Sequence, residues 1–128
     1  MQFPYAKIKP NVFGPIVKVE ILGESWLEFE AFVDTGASFS IFHADVAKLL
    51  NIKYWRSKPV FVTVGDGVSI PVYEHRLKVR FSEKEFFATI GFSARLGVGF
   101  NLIGREDFFE QFRICFNDRE KVLETTPL

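Results

Sequence analysis

Apolar and polar residues alternate along most of this chain, with the two-residue period of strands that bury one face. In Ile16–Leu22, Val17, Val19 and Ile21 share one face while Lys18 and Glu20 share the other. Leu22-Gly23-Glu24-Ser25 reads as a turn. Trp26–Val33 then alternates again, with Phe29, Ala31 and Val33 opposite Glu28 and Glu30. The pattern predicts a hairpin whose second strand runs directly into Asp34-Thr35-Gly36.

Over His43–Leu50 the period changes. Phe42 stands four residues before Val46, and Val46 stands three and four before Leu49 and Leu50. Asp45 lies near the start and Lys48 near the end, as a helix dipole favours, so a short amphipathic helix is expected. Strand alternation resumes at Val60, Val62 and Val64. Gly65-Asp66-Gly67 is a hairpin turn signal, and a long strand leaves it over Val68–Phe81. Ser82-Glu83-Lys84 turns the chain into Phe86, Ala88, Ile90 and Phe92. A glycine-containing loop, Ser93–Gly99, precedes Phe100-Asn101-Leu102-Ile103-Gly104. Arg105–Phe112 shows helical spacing at Phe108, Phe109 and Phe112, three residues expected in the core, with Asp107 and Glu110 on a solvated face. A last hairpin pairs Phe112–Phe116 with Lys121–Thr125 around Asn117-Asp118-Arg119. With no linker or repeat, residues 1–128 are expected to form one mainly β domain with two short helices.

Composition adds limits to this picture. Sixteen Phe against one Met fits a β-rich protein with much apolar surface to bury. Sixteen basic residues balance sixteen acidic ones. Without a basic run, there is no electrostatic footprint for nucleic acid and no polybasic anchor for a membrane. The apolar runs are too short to span a bilayer, and Met1–Tyr5 lacks the organisation of a signal peptide. A single cysteine, Cys115, cannot form an internal disulfide and is expected as a small core or interface residue. A cytoplasmic protein is the simplest expectation. His43 and His75 lack partners at metal-ligand spacing, so both are read as structural and neither a metal nor a cofactor is expected.

Chemistry concentrates in Phe32-Val33-Asp34-Thr35-Gly36-Ala37-Ser38. An acid at the end of an apolar strand is costly to bury, Thr35 adds a hydroxyl, and Gly36 permits close approach of a ligand or another chain. Taken alone, the triplet reads equally as a strand-end turn with a side-chain-to-backbone hydrogen bond.

Its surroundings sharpen the reading. Two apolar residues before Asp34, the glycine hairpin around Gly65-Asp66-Gly67, and Leu102-Ile103-Gly104-Arg105 occur in the order seen in retropepsin-like aspartic peptidases, which this chain resembles over roughly residues 14–117. The resemblance implies the acid-protease fold, a closed β-barrel contributing one lobe per chain. Asp34, Thr35 and Gly36 would form the catalytic motif. Ala37, Val64, Gly65, Asp66, Gly67, Val68 and Ile103 would contact substrate, with Ile70 and Phe32 as further candidates for subsite walls. The hairpin would act as a flap, and the segment from Leu102 would pack beneath the Asp34 loop. Two departures are visible: Ser38 replaces an acid that in retroviral enzymes pairs with the arginine, and Asp66 occupies a flap tip that is usually apolar. Arg105 is therefore expected to find a carbonyl, or the acid of Glu106 or Asp107.

Such enzymes need two carboxylates, and this chain has one Asp-Thr-Gly. The resemblance thus implies a homodimer that hydrolyses extended peptide or protein substrates. The alternative is a catalytically idle relative, retained for dimerisation or peptide binding. Ala37 removes a hydroxyl that would favour the ionised pair, which implies activity at mildly rather than strongly acidic pH.

Overall fold

A computed structural model describes residues 1–128. The alternating segments form the strands expected of them. β1 (Gln2–Pro4), β2 (Ala6–Lys9) and β3 (Val12–Gly14) precede the predicted hairpin of β4 (Ile16–Leu22) and β5 (Trp26–Val33). β6 (Ser40–His43) leads into α1 (Ala44–Leu49). Next come β7 (Pro59–Thr63), β8 (Ser69–Phe81), β9 (Lys84–Ser93), β10 (Asn101–Ile103), β11 (Phe112–Asn117) and β12 (Val122–Pro127). The chain is mainly β, and no helix is long and apolar enough to cross a membrane.

Seven strands form the principal sheet in the order β4-β5-β10-β6-β9-β8-β7. Two of its pairings are parallel, β5 with β10 and β6 with β9. The long strand β8 meets β7 near its start, and near its end it pairs with β4 through Glu20–Arg80 and Ile21–Val79. Six strands therefore pair in a ring, and the β7–β8 hairpin extends from it. A second sheet, β1-β12-β11, joins the two chain ends, with Gln2 opposite Glu124 and Phe3 opposite Leu123.

The faces follow the predicted alternation. Val17, Val19, Ile21, Ala31 and Val33 point into a core completed by Phe42, Ile90, Phe92 and Phe108. The phenylalanine excess has a structural use here. Phe81 meets Phe112 edge-on at 5.2 Å and Phe86 meets Phe108 at 5.3 Å, linking the β8–β9 hairpin to the C-terminal segment. In α1, Lys48 and Asp45 pair at 3.5 Å on the solvent side.

Four expectations are corrected. Leu49 is 67% exposed, because Val46 and Leu50 already fill the buried stripe of a helix of only six residues. The helix expected over Arg105–Phe112 is a turn followed by a short 3-10 segment, Phe109–Gln111. Asp107 interrupts it with a φ of 66°, a conformation no helix continues through. Phe108 and Phe112 still reach the core, from a turn and a strand respectively. Cys115 is exposed rather than in the core, because it lies on the face of β11 opposite Ile114 and Phe116. Asp107 is not on a solvated face: its side chain is 17% exposed and accepts the backbone N–H of Thr89 at 2.8 Å.

Candidate active site

Asp34 stands where β5 ends. Parallel pairing of β5 with β10 sets Phe32 beside Leu102 and Val33 beside Ile103, and the N–H of Asp34 then donates to the carbonyl of Ile103 at 3.0 Å. Past this point the chain turns, with the N–H of Ala37 donating to the carbonyl of Asp34 at 3.2 Å. Two more backbone bonds hold the far side of the loop: Arg105 N–H to Ala37 at 2.9 Å, and Glu106 N–H to Ser38 at 3.0 Å. The loop is thus fastened along its length to residues 103–106, which lie beneath it.

This fastening needs glycine at position 104. A Cβ there would collide with the main chain of Phe39, while the N–H of Gly104 donates to the buried hydroxyl of Ser40 at 3.0 Å. The Arg105 side chain lies 5.9 Å from the Phe109 ring centre and donates to the carbonyl of Thr35 at 3.5 Å. With Ser38 in place of an acid, a carbonyl has become its partner, and Asp107 instead pairs with Arg76 at 3.3 Å.

Within the loop, the N–H of Gly36 donates to Oδ1 of Asp34 at 2.9 Å. This bond directs one carboxylate oxygen into the turn, and no other donor in the chain reaches that carboxylate. Thr35 and Gly36 are exposed, and Asp34 and Ala37 are partly buried. The acid is fixed in orientation and accessible.

The hairpin expected at Gly65-Asp66-Gly67 forms between β7 and β8, in register from Pro59–Tyr73 to Thr63–Ser69. At its tip Val64 donates to Val68 at 2.9 Å, Gly67 to Val64 at 2.8 Å, and the N–H of Val68 to Oδ1 of Asp66 at 3.0 Å. Gly67 has a φ of 84°, which is why glycine serves there. Asp66 is a turn residue, as expected.

A small apolar cluster ties this hairpin to the loop. Ile70 and Val72 from β8 pack with Ile41 and Leu96, and Val62, Val64 and Leu102 rest against them. Ile41 pairs with Leu102, which lies beside Phe32 on the strand bearing Asp34. Val64, Gly65, Asp66, Gly67 and Val68 therefore share a hairpin rooted on the strands that position the acid. Val64 is partly buried and Val68 exposed.

Two wall candidates are corrected. Ile103 is 1% exposed and belongs to the main core, so it serves the loop through its carbonyl rather than presenting a side chain to a cleft. Ile70 is 4% exposed and supports the hairpin from within. Leu102, expected only as part of the segment beneath the Asp34 loop, also packs against the hairpin cluster. Strand alternation carried the signal: with Ile103 facing the core beside Val33, Leu102 must face the other way, toward the hairpin. Phe32 is partly buried and stacks on Phe100 with ring centres 5.0 Å apart.

Neither histidine enters this site. His75 Nε2 bonds the carbonyl of Tyr54 at 2.9 Å, and the His43 ring nitrogen Nε2 is buried without a partner. A cavity of about 690 Å³ lies between the N-terminal strand and the outer face of β4 and β5, and none of the expected site residues lines it.

No curated protein matches the chain. Among solved structures, a retropepsin-like aspartic protease from Rickettsia conorii superposes with a TM-score of 0.69 at 18% identity, over 98% of this chain and 89% of that one. That likeness is one of fold, and this chain has the retropepsin-like fold. The Aspartyl protease family model matches residues 17–87, a span containing both the Asp34 loop and the glycine hairpin. That span exceeds half of the chain, which belongs to the aspartyl protease family.

Proposed function

We propose that this chain is one half of a homodimeric aspartic endopeptidase, in which Asp34 and its symmetry copy share one proton across a two-fold axis. The observation that carries the reading is the state of Asp34: oriented by Gly36, accessible, and alone, because the chain contains no second Asp-Thr-Gly. An isologous contact supplies the missing acid from an identical loop.

The chemistry follows from two carboxylates holding one proton. The ionised one takes a proton from a water as its oxygen attacks the peptide carbonyl. The protonated one donates to that carbonyl oxygen as charge develops there. Collapse of the tetrahedral adduct, with proton transfer to the departing nitrogen, leaves an acid and an amine. The β7–β8 hairpin acts as the flap, and an extended peptide bonds through its backbone to the hairpin and to Gly36. Ala37, Val64, Val68 and Leu102 are the side chains placed to meet it. A cleft formed between two copies would not appear as a cavity in one, which fits the cavity of about 690 Å³ lying away from Asp34. A cytoplasmic setting suits an exposed thiol at Cys115.

The test combines sedimentation with cleavage of a peptide library by the purified protein. Dimers that cleave, with a rate reduced at least about a thousandfold by Asp34→Asn and no change in fold, support the reading. An active monomer refutes the shared site. A folded dimer that binds peptides but cleaves none indicates the idle relative instead.

A further inference from the structure

Asp66 occupies the tip of the β7–β8 hairpin and is exposed, with open space around both flanking glycines. Its Oδ1 is committed to the N–H of Val68 at 3.0 Å, so the turn holds the carboxylate in one orientation. Oδ2 has no donor in the chain, and none of the four ion pairs involves this residue. On one face below the tip, Val62 and Val64 of the hairpin and Leu102 of β10 are partly exposed over the Ile41–Ile70–Val72–Leu96 cluster, while Thr63 and Ser69 lie exposed on the other face. An oriented, unmatched negative charge thus stands at the end of an apolar wall.

We propose that Asp66 selects peptides carrying a lysine or arginine beneath the hairpin tip. The proposal rests on the reading of this hairpin as the element that covers the substrate. A long basic side chain matches both parts of the surface, because its methylene stem packs on apolar groups while its charged head stays at the rim. Norleucine would match the wall alone. Glutamate would bring a second negative charge to Asp66. In a homodimer two such tips approach one peptide, and their like charges repel unless a cation lies between them. The basic side chain supplies it.

The test uses peptides that are identical except at one scanned position, which carries lysine, norleucine or glutamate. Cleavage is compared for wild type and Asp66→Asn. Asparagine keeps the acceptor that Val68 needs and tolerates the turn, so the substitution removes charge and little else. At one position the wild type should favour lysine over norleucine about fivefold, the upper range for one exposed ion pair. That ratio should fall toward one in Asp66→Asn, and in wild type at about 0.5 M salt, where screening is short-ranged. The same peptides are titrated by fluorescence anisotropy against an Asp34→Asn protein, alone and combined with Asp66→Asn. A charge-dependent binding preference without any wild-type cleavage supports the role of Asp66 and refutes the peptidase. Cleavage whose lysine-to-norleucine ratio is the same in wild type and Asp66→Asn overturns this inference and leaves the peptidase standing. Neither cleavage nor binding overturns both.

Discussion

Gly104 and Phe39 touch main chain to main chain: a Cβ on Gly104 would fall within the backbone of Phe39. Phe39 directly follows the loop that carries Asp34, so any side chain at position 104 forces that loop away from residues 103–106. Gly104→Ala is expected to cost on the order of 3 kcal/mol, because the obstruction is backbone rather than a movable side chain. Urea unfolding followed by circular dichroism measures this, and wild-type stability in the variant would show that the loop yields freely.

Ser40 provides a second hold on the same segment. Its buried hydroxyl accepts the N–H of Gly104 at 3.0 Å. Ser40→Ala leaves that N–H without a partner in a dry site and should cost about 1–3 kcal/mol. The amide of Gly104 should also exchange with solvent faster in the variant, which hydrogen exchange would detect.

Asp107 makes a different prediction, since its carboxylate serves a backbone group. It accepts the N–H of Thr89 at 2.8 Å, and its φ of 66° suits aspartate or asparagine. Asp107→Asn keeps both properties and should cost less than about 1 kcal/mol, the size of the exposed ion pair with Arg76. Asp107→Ala loses the acceptor and strains the backbone, for about 2–4 kcal/mol in all. Equal losses in the two variants would place the stabilisation in charge rather than in the hydrogen bond.

Tyr5 links stability to alkaline pH. Partial burial, then the hydrogen bond to Asp118 and the nearby charges of Asp118 and Cys115, push its phenol from an ordinary 10.0 up to about 12. Folding therefore favours the protonated phenol. Its contribution is complete below the unfolded value and is lost as pH rises from 10.0 toward about 12. Tyr5→Phe should remove that part of the alkaline decline, read from urea midpoints measured across this range.

Much of the fold was legible because single-faced burial writes itself into a strand. Val17, Val19 and Ile21 could face only one way, and the β4–β5 hairpin has the boundaries that alternation gives it. The Asp34 loop and the glycine hairpin were legible through side chains chosen for turns. What failed were residues whose role belongs to their backbone or to distant neighbours. Ile103 looks like a subsite wall, yet it serves through a carbonyl. Asp107 looks solvated, yet it answers an amide on β9. β1, β2 and β3 escaped notice because three or four residues interrupted by Pro4, Pro10 and Asn11 are too short to show a period.

The sheet that pairs Gln2–Pro4 with residues 122–124 has a consequence for how the molecule is made. Closing so long a loop carries the largest entropic cost among the strand pairings, and it cannot begin until residues 122–124 have been made. The β4–β5 and β8–β9 hairpins can assemble as they are synthesised, whereas the first strand must wait for the final one. Slow folding phases should therefore report the meeting of β1 with β12.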